Sequence, residues 1–281
     1  MIIFNNIQEV ISTGRLTANS LINADCLEAM KYIEDKSIDL ILSDPPYGTT
    51  ACKWDTIIPF EPMWEQYKRI IKDNSAIVLT ASQPFTSALV MSNIKMFKYE
   101  WIWHKSTSGS FATAKKQPMK YHENILVFYK NSPIYNPQFQ SYADSTNKRF
   151  KDGEKVNRKK QLINSSNKIQ NGLSFEGEQG IMLSRGKYPE SVQKINSEPN
   201  CNGTKLHPTQ KPVALGRYLI RTYTNEGDLI LDNTCGSGSF LVAAMLEKRN
   251  FIGIELDENY CAIARKRLED TQKDIDSKLS F

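Results

Sequence analysis

The sequence predicts an α/β fold with a mostly parallel sheet, and three observations support this prediction. Short apolar runs alternate with stretches of helical periodicity along most of the chain. One apolar run, residues 38–42, ends at a pair of prolines, and another, residues 228–232, enters a glycine-rich turn. Because ligand sites of open α/β sheets collect at such strand ends, we expect a Rossmann-like sheet with helices on both faces.

The first part of the chain contains most of the predicted elements. Apolar, β-branched or aromatic runs predict strands at residues 20–24, 38–42, 76–80, 99–103 and 124–129. Helical spacing of apolar residues predicts helices near residues 7–11, 26–33, 60–71 and 84–92. The last two strands could form an antiparallel edge, which makes the sheet a mixed one. Residues 1–18 are weakly patterned, and we assign them no function.

The character of the chain changes at residues 131–205, which are polar, basic and rich in Asn and Ser. So long a stretch without clear elements is typical of a functional or a disordered segment. Regular patterning then resumes in an order of helix, strand, turn, helix, strand and helix, at residues 213–223, 228–232, 233–239, 240–248, 251–254 and 257–273. The sequence thus predicts seven strands in one sheet, interrupted by an insertion.

Composition excludes several classes of protein. The 281 residues are 40% hydrophobic and 24% charged, as in a globular protein, and no apolar run is long enough to span a bilayer. Without a signal-peptide pattern, we expect a cytoplasmic protein. The cysteines form no Cys-x-x-Cys pair and the histidines are scattered, which argues against a metal site and predicts free thiols.

The segment that follows residues 38–42 carries the first chemical signal. Asp44, Pro45, Pro46 and Tyr47 place a carboxylate, a stiff backbone with open carbonyls and a flat aromatic face side by side. A planar amine fits this set, since its two N–H groups reach the Asp44 carboxylate and the Pro45 carbonyl while its ring stacks on Tyr47. The alternative is a strand with a proline turn, in which Asp44 caps a helix and Tyr47 packs in the core.

The second signal is the turn after residues 228–232. It contains Gly236 and Gly238, which allow close approach of a ligand, and Glu255 ends the next strand, where an acid binds ribose hydroxyls. The third glycine of a dinucleotide fingerprint is replaced by Leu241, and no phosphate-binding Gly-Lys-Ser/Thr occurs. A nucleoside without phosphates, such as S-adenosylmethionine, is therefore favoured. A plain strand-to-helix turn is the alternative.

Taken in order, the motifs resemble those of the DNA amino-methyltransferases, specifically the permuted beta class. The quoted segments are Ala24-Asp25, residues 44–47, residues 122–128, residues 207–212, residues 232–239 and residues 252–255. The resemblance covers nearly the whole chain apart from its start and residues 131–205. It implies a circularly permuted S-adenosylmethionine-dependent methyltransferase fold, with a catalytic half at residues 1–130, a target-recognition insertion at 131–205 and a cofactor-binding half at 206–281.

The resemblance also implies roles for individual residues. Asp44, Pro45, Pro46 and Tyr47 would be catalytic, and Glu255 would bind the cofactor ribose. The remaining cofactor-binding residues would be Asp25 at the adenine amino edge, His207, Thr209 and Lys211 at the amino-acid end, with Lys211 as a carboxylate partner, and Asp232, Asn233, Thr234, Cys235, Gly236, Ser237, Gly238 and Ser239 at the methionine part. Asn233, Thr234 and Ser239 depart from the Pro, Phe and Thr common in the family, which implies altered packing against the cofactor there.

An exocyclic amine of a DNA base is the acceptor that these residues favour. Methylation at cytosine C5 needs a Pro-Cys nucleophile, and the chain has no such dipeptide. In the family, Asp at the position of Asp44 is typical of adenine N6 enzymes and Ser of cytosine N4 enzymes, so we expect an adenine N6-methyltransferase. Cytosine N4 methylation is the alternative. Either base must rotate out of the duplex, and Tyr47 would stack on it.

Two parts of the chain are expected to contact DNA. Residues 48–55 follow the catalytic motif and include Lys53 and Trp54; Trp54 could stack on a base or anchor its loop in the protein. In the insertion, the basic residues expected to contact phosphates are Lys148, Arg149, Lys151, Arg158, Lys159 and Lys160. A solvated loop is the other interpretation of this charge run.

Two other functions agree less well with the sequence. A nucleotide-dependent oxidoreductase is disfavoured by Leu241 and by the Asp-Pro-Pro-Tyr loop. A DNA-binding subunit without catalysis is disfavoured by the intact Asp44, Tyr47 and Glu255. A homodimer and a cognate restriction enzyme are plausible partners, whereas no metal is expected.

Overall fold

The structure, a computed structural model, describes residues 1–50, 52, 55–108, 114–141, 155–157, 180–182, 186–197 and 210–279. The chain divides into two compact units. The larger unit comprises Met1–Asn136 and Ser191–Phe281, and the smaller one comprises Pro137–Glu190.

Strands of the described residues are, in chain order, β1 (Ile2–Phe4), β2 (Ser20–Asn23), β3 (Ile38–Ser43), β4 (Ile71–Ala81), β5 (Phe97–His104), β6 (His122–Phe128), β7 (Lys155–Asn157), β8 (Gly180–Met182), β9 (Val192–Lys194), β10 (Leu229–Asp232) and β11 (Asn250–Glu255). Nine of them form the sheet of the larger unit, in the order β1-β2-β11-β10-β3-β4-β6-β5-β9. Within that sheet, β6 runs antiparallel to β4 and β5, and the other described pairings are parallel.

The described helices are α1 (Ile7–Thr13), α2 (Cys26–Met30), α3 (Phe60–Ile70), α4 (Phe85–Ser92), α5 (Val213–Tyr223), α6 (Ser239–Leu246) and α7 (Glu258–Leu279). They cover both faces of the sheet because consecutive strand side chains point to opposite sides. Along β3, Ile41 packs with the core of α1–α4, whereas Leu40 and Leu42 pack with the core of α5–α7. Strands buried on both faces explain the continuous apolar runs of the sequence.

The predicted fold class is confirmed, but the sheet has nine strands instead of the predicted seven. The two additional strands are the edge strands β1 and β9, each of three residues. Runs this short carry no readable alternation of apolar and polar residues, which is why the sequence did not reveal them. The predicted antiparallel pair is present as β5 and β6.

In the smaller unit, β7 and β8 form an antiparallel pair, and Gln140 and Lys187 form an isolated antiparallel bridge. Phe139 and Tyr188 pack together there, with ring centroids 4.9 Å apart. The sequence predicted no elements in this part of the chain. None of the helices in the described ranges combines the length and the apolar composition required to cross a bilayer.

The order of the strands places the site. From β10 the chain proceeds to β11 on one side, whereas from β3 it proceeds to β4 on the other side, and β10 and β3 are neighbours. The connections therefore diverge between these two strands, which is the switch point where open α/β sheets bind ligands. The carboxyl ends of β3 and β10 carry the Asp-Pro-Pro-Tyr loop and the glycine turn.

Candidate active site

A cavity of about 320 Å³ opens at the carboxyl ends of β3 and β10. This volume lies at the lower end of the range of small-molecule sites, roughly 300–1,000 Å³. Its lining combines the two motifs that are 190 residues apart in the chain. The predicted site residues in the lining are Asp25, Asp44, Pro45, Pro46, Tyr47, Lys211, Asp232, Asn233, Thr234, Cys235, Gly236, Ser237, Ser239 and Glu255.

Asp44 is held by groups from two neighbouring segments. Its Oδ1 accepts hydrogen bonds from the Tyr47 hydroxyl, at 2.8 Å, and from the Thr80 hydroxyl at the end of β4. The Asp44 backbone carbonyl accepts a hydrogen bond from Thr234 Oγ1 at 3.1 Å, which ties the loop to the glycine turn. With 22% of its side chain exposed, the carboxylate remains accessible from the cavity.

Lys211 is the closest cation to this carboxylate among the described residues. Its Nζ lies 2.6 Å from Asp44 Oδ2 and 3.4 Å from Glu123 Oε2, and its side chain is only 6% exposed. Glu123 Oε1 in turn accepts a hydrogen bond from Lys105 Nζ at 2.9 Å. Burial lowers the pKa of Lys211, but the neighbouring carboxylates Asp44 and Glu123 outweigh it and leave that pKa raised, so the ammonium stays charged.

The Tyr47 ring is covered on one side and faces a cation. It stacks on Phe85 with ring centroids 5.3 Å apart, and Lys211 Nζ lies 5.4 Å from its centroid. Burial, reinforced by the charge of Asp44, raises the pKa of the Tyr47 hydroxyl, which keeps it a hydrogen-bond donor. Tyr47 therefore has a fixed orientation before any ligand enters.

The glycine turn has the backbone geometry that its residues predict. Gly236 and Gly238 have φ values of 52° and 76°, in the left-handed region. The Gly236 N–H donates to Glu255 Oε2 at 2.7 Å, and Gly238 is the one turn residue outside the cavity lining. A Cβ at Gly238 would lie 3.0 Å from the Ala264 Cβ, so this glycine allows α7 to pack closely against the turn.

Arg267 of α7 braces the turn from behind. Its Nη1 donates to the Ser237 carbonyl at 2.6 Å and lies 3.1 Å from the hydroxyl oxygens of both Ser237 and Ser239. These contacts fix the backbone between β10 and α6. Arg267 thus positions the turn without lining the cavity.

Leu241, which stands in place of the third glycine of a dinucleotide fingerprint, is fully buried. A Cβ at Gly253 would lie 2.3 Å from Leu241 Cδ1. The close approach of helix and strand is thus provided by a glycine on β11 instead of one on α6. The dinucleotide fingerprint alone does not predict that the glycine at this contact lies on the strand.

Burial raises the pKa of the acids at the ends of both β10 and β11. Burial raises the pKa of Asp232 to about 8, although the Ser43 hydroxyl donates to its Oδ1 at 2.9 Å. Asp232 therefore holds a proton at neutral pH. Burial also raises the pKa of Glu255, whose Oε1 accepts a hydrogen bond from the Asp257 N–H at 2.9 Å.

Polar atoms near the cavity complete a site for a polar ligand. Within the described chain, buried Asn233 Nδ2 and Gln210 Oε1 have no hydrogen-bond partner, and both residues line the cavity. Asn233 Oδ1 is held by the buried Tyr67 hydroxyl at 2.7 Å. Unpaired buried polar groups are costly, so these two atoms favour a ligand with a matching donor and acceptor.

Asp25 has a structural contact in addition to its predicted role. Its Oδ1 accepts hydrogen bonds from the backbone N–H groups of Leu27 and Glu28, at 2.8 and 3.1 Å, and so caps α2. Asp25 also lines the cavity, and a carboxylate has capacity for further donors.

The cysteines near the cavity are buried, which disfavours their thiolate forms. Burial raises the pKa of Cys26 to about 11 and raises that of Cys235 well above its ordinary value. The four described cysteines, Cys26, Cys52, Cys235 and Cys261, are free thiols, as predicted. A reaction through a cysteine thiolate is therefore disfavoured.

The loop after Tyr47 is fastened by Asp55. Its carboxylate accepts hydrogen bonds from the backbone N–H groups of Gly48, Thr49 and Thr50, at 2.8, 2.8 and 2.6 Å. Burial raises the pKa of Asp55, but the Thr50 hydroxyl and these backbone donors outweigh it and leave the pKa lowered. Thr49, Thr50 and Asp55 line the cavity.

The other predicted site residues are Lys53, Trp54, Lys148, Arg149, Lys151, Arg158, Lys159, Lys160, His207 and Thr209, and they lie outside the described residues. Their roles stay predictions. In contrast, Thr80, Lys105, Glu123 and Arg267 contact the site residues without having been assigned a role from sequence. Thr80 carried a usable signal, since it ends a predicted strand next to that of Asp44. The others are brought in by tertiary packing.

Fold and site together define a class: Rossmann-like α/β proteins in which a carboxylate-bearing loop and a glycine turn line one cavity at the switch point of the sheet. Within this class, the sequence profile of the DNA methylase family, which joins N6 and N4 types, matches residues 38–266, and the chain belongs to this family. The resemblance inferred from the motifs is thereby confirmed.

Known proteins similar to the chain agree with this assignment. The type II methyltransferase M.HpaI of Haemophilus parainfluenzae is 28% identical over 270 residues, covering 92% of this chain and 76% of the relative. The DNA adenine methyltransferase YhdJ of Escherichia coli (strain K12) is 28% identical over 264 residues, covering 90% of this chain and 83% of the relative. The crystal structure of an M1.HpyAVI–SAM complex shares the fold, with a TM-score of 0.57 and 23% identity. The match covers 88% of this chain and 98% of the chain in that structure.

Proposed function

We propose that the chain transfers a methyl group from S-adenosylmethionine to the exocyclic N6 of adenine in a specific DNA sequence. The observation that carries this proposal is the Asp44 carboxylate, which Thr80 and Tyr47 orient at the mouth of a cavity shared with the glycine turn. An oriented carboxylate next to a nucleoside-sized cavity suits transfer to an amine.

The residues of the cavity fit S-adenosylmethionine. Glu255 ends β11, where it would bind the ribose hydroxyls, and Asp25 would bind the adenine amino edge. The unpaired Asn233 Nδ2 and Gln210 Oε1 offer a donor and an acceptor for the methionine part. When bound, S-adenosylmethionine supplies a methyl group on a positively charged sulfur.

The acceptor amine would be held by Asp44 and Pro45. One amine N–H would donate to the Asp44 carboxylate and the other to the Pro45 carbonyl, which directs the nitrogen lone pair away from its ring. Asp44 would stabilise the positive charge that develops on the nitrogen during attack. No covalent intermediate with the protein is needed, in keeping with the raised pKa values of Cys26 and Cys235.

Further predictions about the cofactor, the target and the partners belong to this proposal. Lys211 was expected to bind the carboxylate of the cofactor, and its ammonium pairs with the carboxylates of Asp44 and Glu123. Its role toward the cofactor stays a prediction. Residues 131–205 are proposed to recognise the target, and a homodimer and a restriction enzyme remain predicted partners.

Adenine is preferred as the acceptor for two reasons. Asp occupies the first position of the catalytic motif, and the relative YhdJ is named as a DNA adenine methyltransferase. Cytosine N4 methylation is the second candidate, because the family joins both types and the amines of the two bases are chemically alike.

The decisive experiment incubates the protein with labelled S-adenosylmethionine and unmethylated bacterial DNA, and identifies the labelled nucleoside by mass spectrometry. We expect N6-methyladenine. Labelled N4-methylcytosine would keep the site assignment and change the acceptor. No labelled base, with cofactor binding intact, would overturn the proposal.

A further inference from the structure

Lys211 occupies the position that the target amine needs. Its ammonium donates to Asp44 Oδ2 at 2.6 Å and lies against the Tyr47 ring, 5.4 Å from the centroid. Asp44 Oδ1 is already engaged by Tyr47 and Thr80. Oδ2 is therefore the oxygen on which an incoming amine must compete with Lys211.

This arrangement opposes the reaction in two ways. A cation at Oδ2 removes acceptor capacity that the amine requires. It also repels the positive charge that forms on the amine nitrogen during attack, and such repulsion is strong at a site that excludes water. Catalysis at Asp44 is therefore favoured when the ammonium moves away.

We propose, as an extension that rests on the proposed function, that the Lys211 ammonium moves when the target amine binds. It leaves Asp44 Oδ2 and donates its hydrogen bond to Glu123 Oε2 instead. In this exchange Glu123 is a positioning residue that acts through Lys211. The entering amine replaces the lysine N–H donor at Asp44, so the hydrogen bonding of the catalytic carboxylate is conserved.

The geometry of Glu123 suits this role. Among the described residues, buried Glu123 Oε2 has no hydrogen-bond partner, and Lys211 Nζ is 3.4 Å away. A shift of roughly half an ångström would bring the pair to the length of a charge-assisted hydrogen bond. The other oxygen, Oε1, is held by Lys105 at 2.9 Å, so Glu123 itself need not move.

The charges of Asp44, Glu123, Lys105 and Lys211 favour movement of the Lys211 ammonium instead of transfer of a proton to a carboxylate. Burial raises the pKa of Glu123, but Lys211 and Lys105 outweigh it and leave that pKa lowered, so the acceptor is ionised. Asp44 and Glu123 together balance Lys211 and Lys105. The movement of one ammonium between two carboxylates therefore leaves the total charge of the site unchanged.

The test measures recognition of the amine without methyl transfer. Two duplexes that contain the sequence methylated by the protein are compared. One carries the unmethylated target base, and the other carries the same base without its exocyclic amine. Their dissociation constants are measured with S-adenosylhomocysteine present. Because the cost of unpairing each base is the same for every variant, a change in the ratio of the two constants reports the contact between the protein and the amine.

We expect Glu123→Gln to reduce the preference for the amine-bearing duplex by about tenfold, within the range of coupled neighbours. The same substitution in a Lys211→Met background should change the preference by less than about twofold, since Glu123 then has no ammonium to receive. Glu100→Gln on β5, an exposed glutamate that accepts from Asn124 at 2.7 Å, is the matched control and should behave like the unsubstituted chain.

Two results would overturn the exchange. Equal effects of Glu123→Gln with and without Lys211 would show a structural role independent of the lysine. Loss of cofactor affinity by more than about tenfold in Lys211→Met, with the amine preference unchanged, would place the ammonium on the cofactor. Methyl transfer by the unsubstituted chain is measured first. If no methyl group is transferred, the proposed function is wrong and the exchange with it. If methyl transfer occurs but the effects of the Glu123 and Lys211 substitutions are simply additive, only the exchange is wrong. Thermal unfolding of each variant identifies any that do not fold.

Discussion

Asp44 receives donors from three side chains, which fix the orientation of its carboxylate. We predict that Asp44→Ala abolishes methyl transfer, and that Asp44→Asn, which keeps the shape but not the charge, lowers kcat by roughly 10²–10⁴-fold. Cofactor affinity, measured by calorimetry, should stay within about threefold because Asp44 is not among the residues proposed to hold the nucleoside. Turnover near that of the unsubstituted chain in Asp44→Ala would show that another residue is catalytic.

Asp232 makes folding depend on pH. Its pKa of about 8 in the folded chain exceeds the ordinary value of 3.8, so between these values the folded chain keeps a proton that the unfolded chain loses. The Asp232 contribution to stability is therefore complete below about pH 4 and is lost as the pH rises towards 8.

Asp232→Asn, which mimics the protonated side chain, tests this contribution. We expect equal free energies of unfolding for variant and unsubstituted chain at pH 4, and a more stable variant at pH 8, by a few kcal/mol. Denaturant unfolding of the ligand-free chain at several pH values measures the difference. A difference that does not change with pH would mean that Asp232 is ionised in the folded chain.

Residues next to one another in sequence were the ones whose placement at the cavity could be predicted. Asp44 to Tyr47 and the glycine turn are local motifs, and the structure places both at one cavity. Lys105 and Arg267 reach the site through long-range contacts, for which the sequence has no periodic or local signal. Glu123 lies in the quoted segment of residues 122–128, but nothing in that segment indicated its contact with Lys211. The raised pKa of Asp232 likewise depends on burial that appears only in the folded chain.

At the scale of elements, α7 supports the cofactor turn through Arg267. We predict that Arg267→Met weakens binding of S-adenosylmethionine by about tenfold, because the Ser237 carbonyl and two hydroxyls lose a charged donor. Lys266→Met, one residue earlier on the same helix, is the matched control, since the Lys266 side chain is 77% exposed and pairs with the solvent-exposed Asp270. Calorimetric titration compares the two variants, and equal affinities would show that the turn holds its shape without Arg267.

Elements with a strong period were predicted well, and their ends less so. Both α3 and α5 begin and end within one residue of the expected bounds. Strand β4 begins at Ile71 rather than at residue 76, because Lys72, Asp73 and Asn74 break the apolar run while still belonging to the strand. Helix α7 extends to Leu279, past the expected end near residue 273, since the residues after Lys273 are mostly polar and only Ile275 and Leu279 are apolar.

For the whole molecule, the predicted DNA surface can be tested by charge. We expect Lys159→Glu with Lys160→Glu to weaken DNA binding and to reduce the magnitude of the slope of log K against log salt by up to about two, since each phosphate that the protein neutralises adds about one to that slope. Filter binding at several salt concentrations measures both quantities.

The control for this charge change is the pair Lys95→Glu and Lys98→Glu. Both lysines are exposed near the amino end of β5, whereas the cavity lies at the carboxyl ends of β3 and β10. Reversing their charges changes the net charge by the same amount as reversing those of Lys159 and Lys160. If both pairs of substitutions weaken binding alike, overall charge and not the insertion accounts for the effect. An unchanged salt slope in the Lys159 and Lys160 variant would refute the assignment.

The order of the motifs along the chain predicted the permuted topology, since the amine-binding loop precedes the glycine turn. The number of edge strands and the smaller unit could not be predicted. In the first case the strands are too short, and in the second the composition of residues 131–205 resembles that of a polar loop.

The pairing of β3 with β10, in which Ile41 lies opposite Leu231, has a consequence for biosynthesis. The two central strands of the site are separated by about 190 residues in sequence, so the sheet cannot close until both strands have left the ribosome. A nascent chain that ends before β10 has the Asp-Pro-Pro-Tyr loop but no glycine turn. Translation therefore completes the cavity only after β10 has been made, and products truncated before β10 would carry only half of its lining.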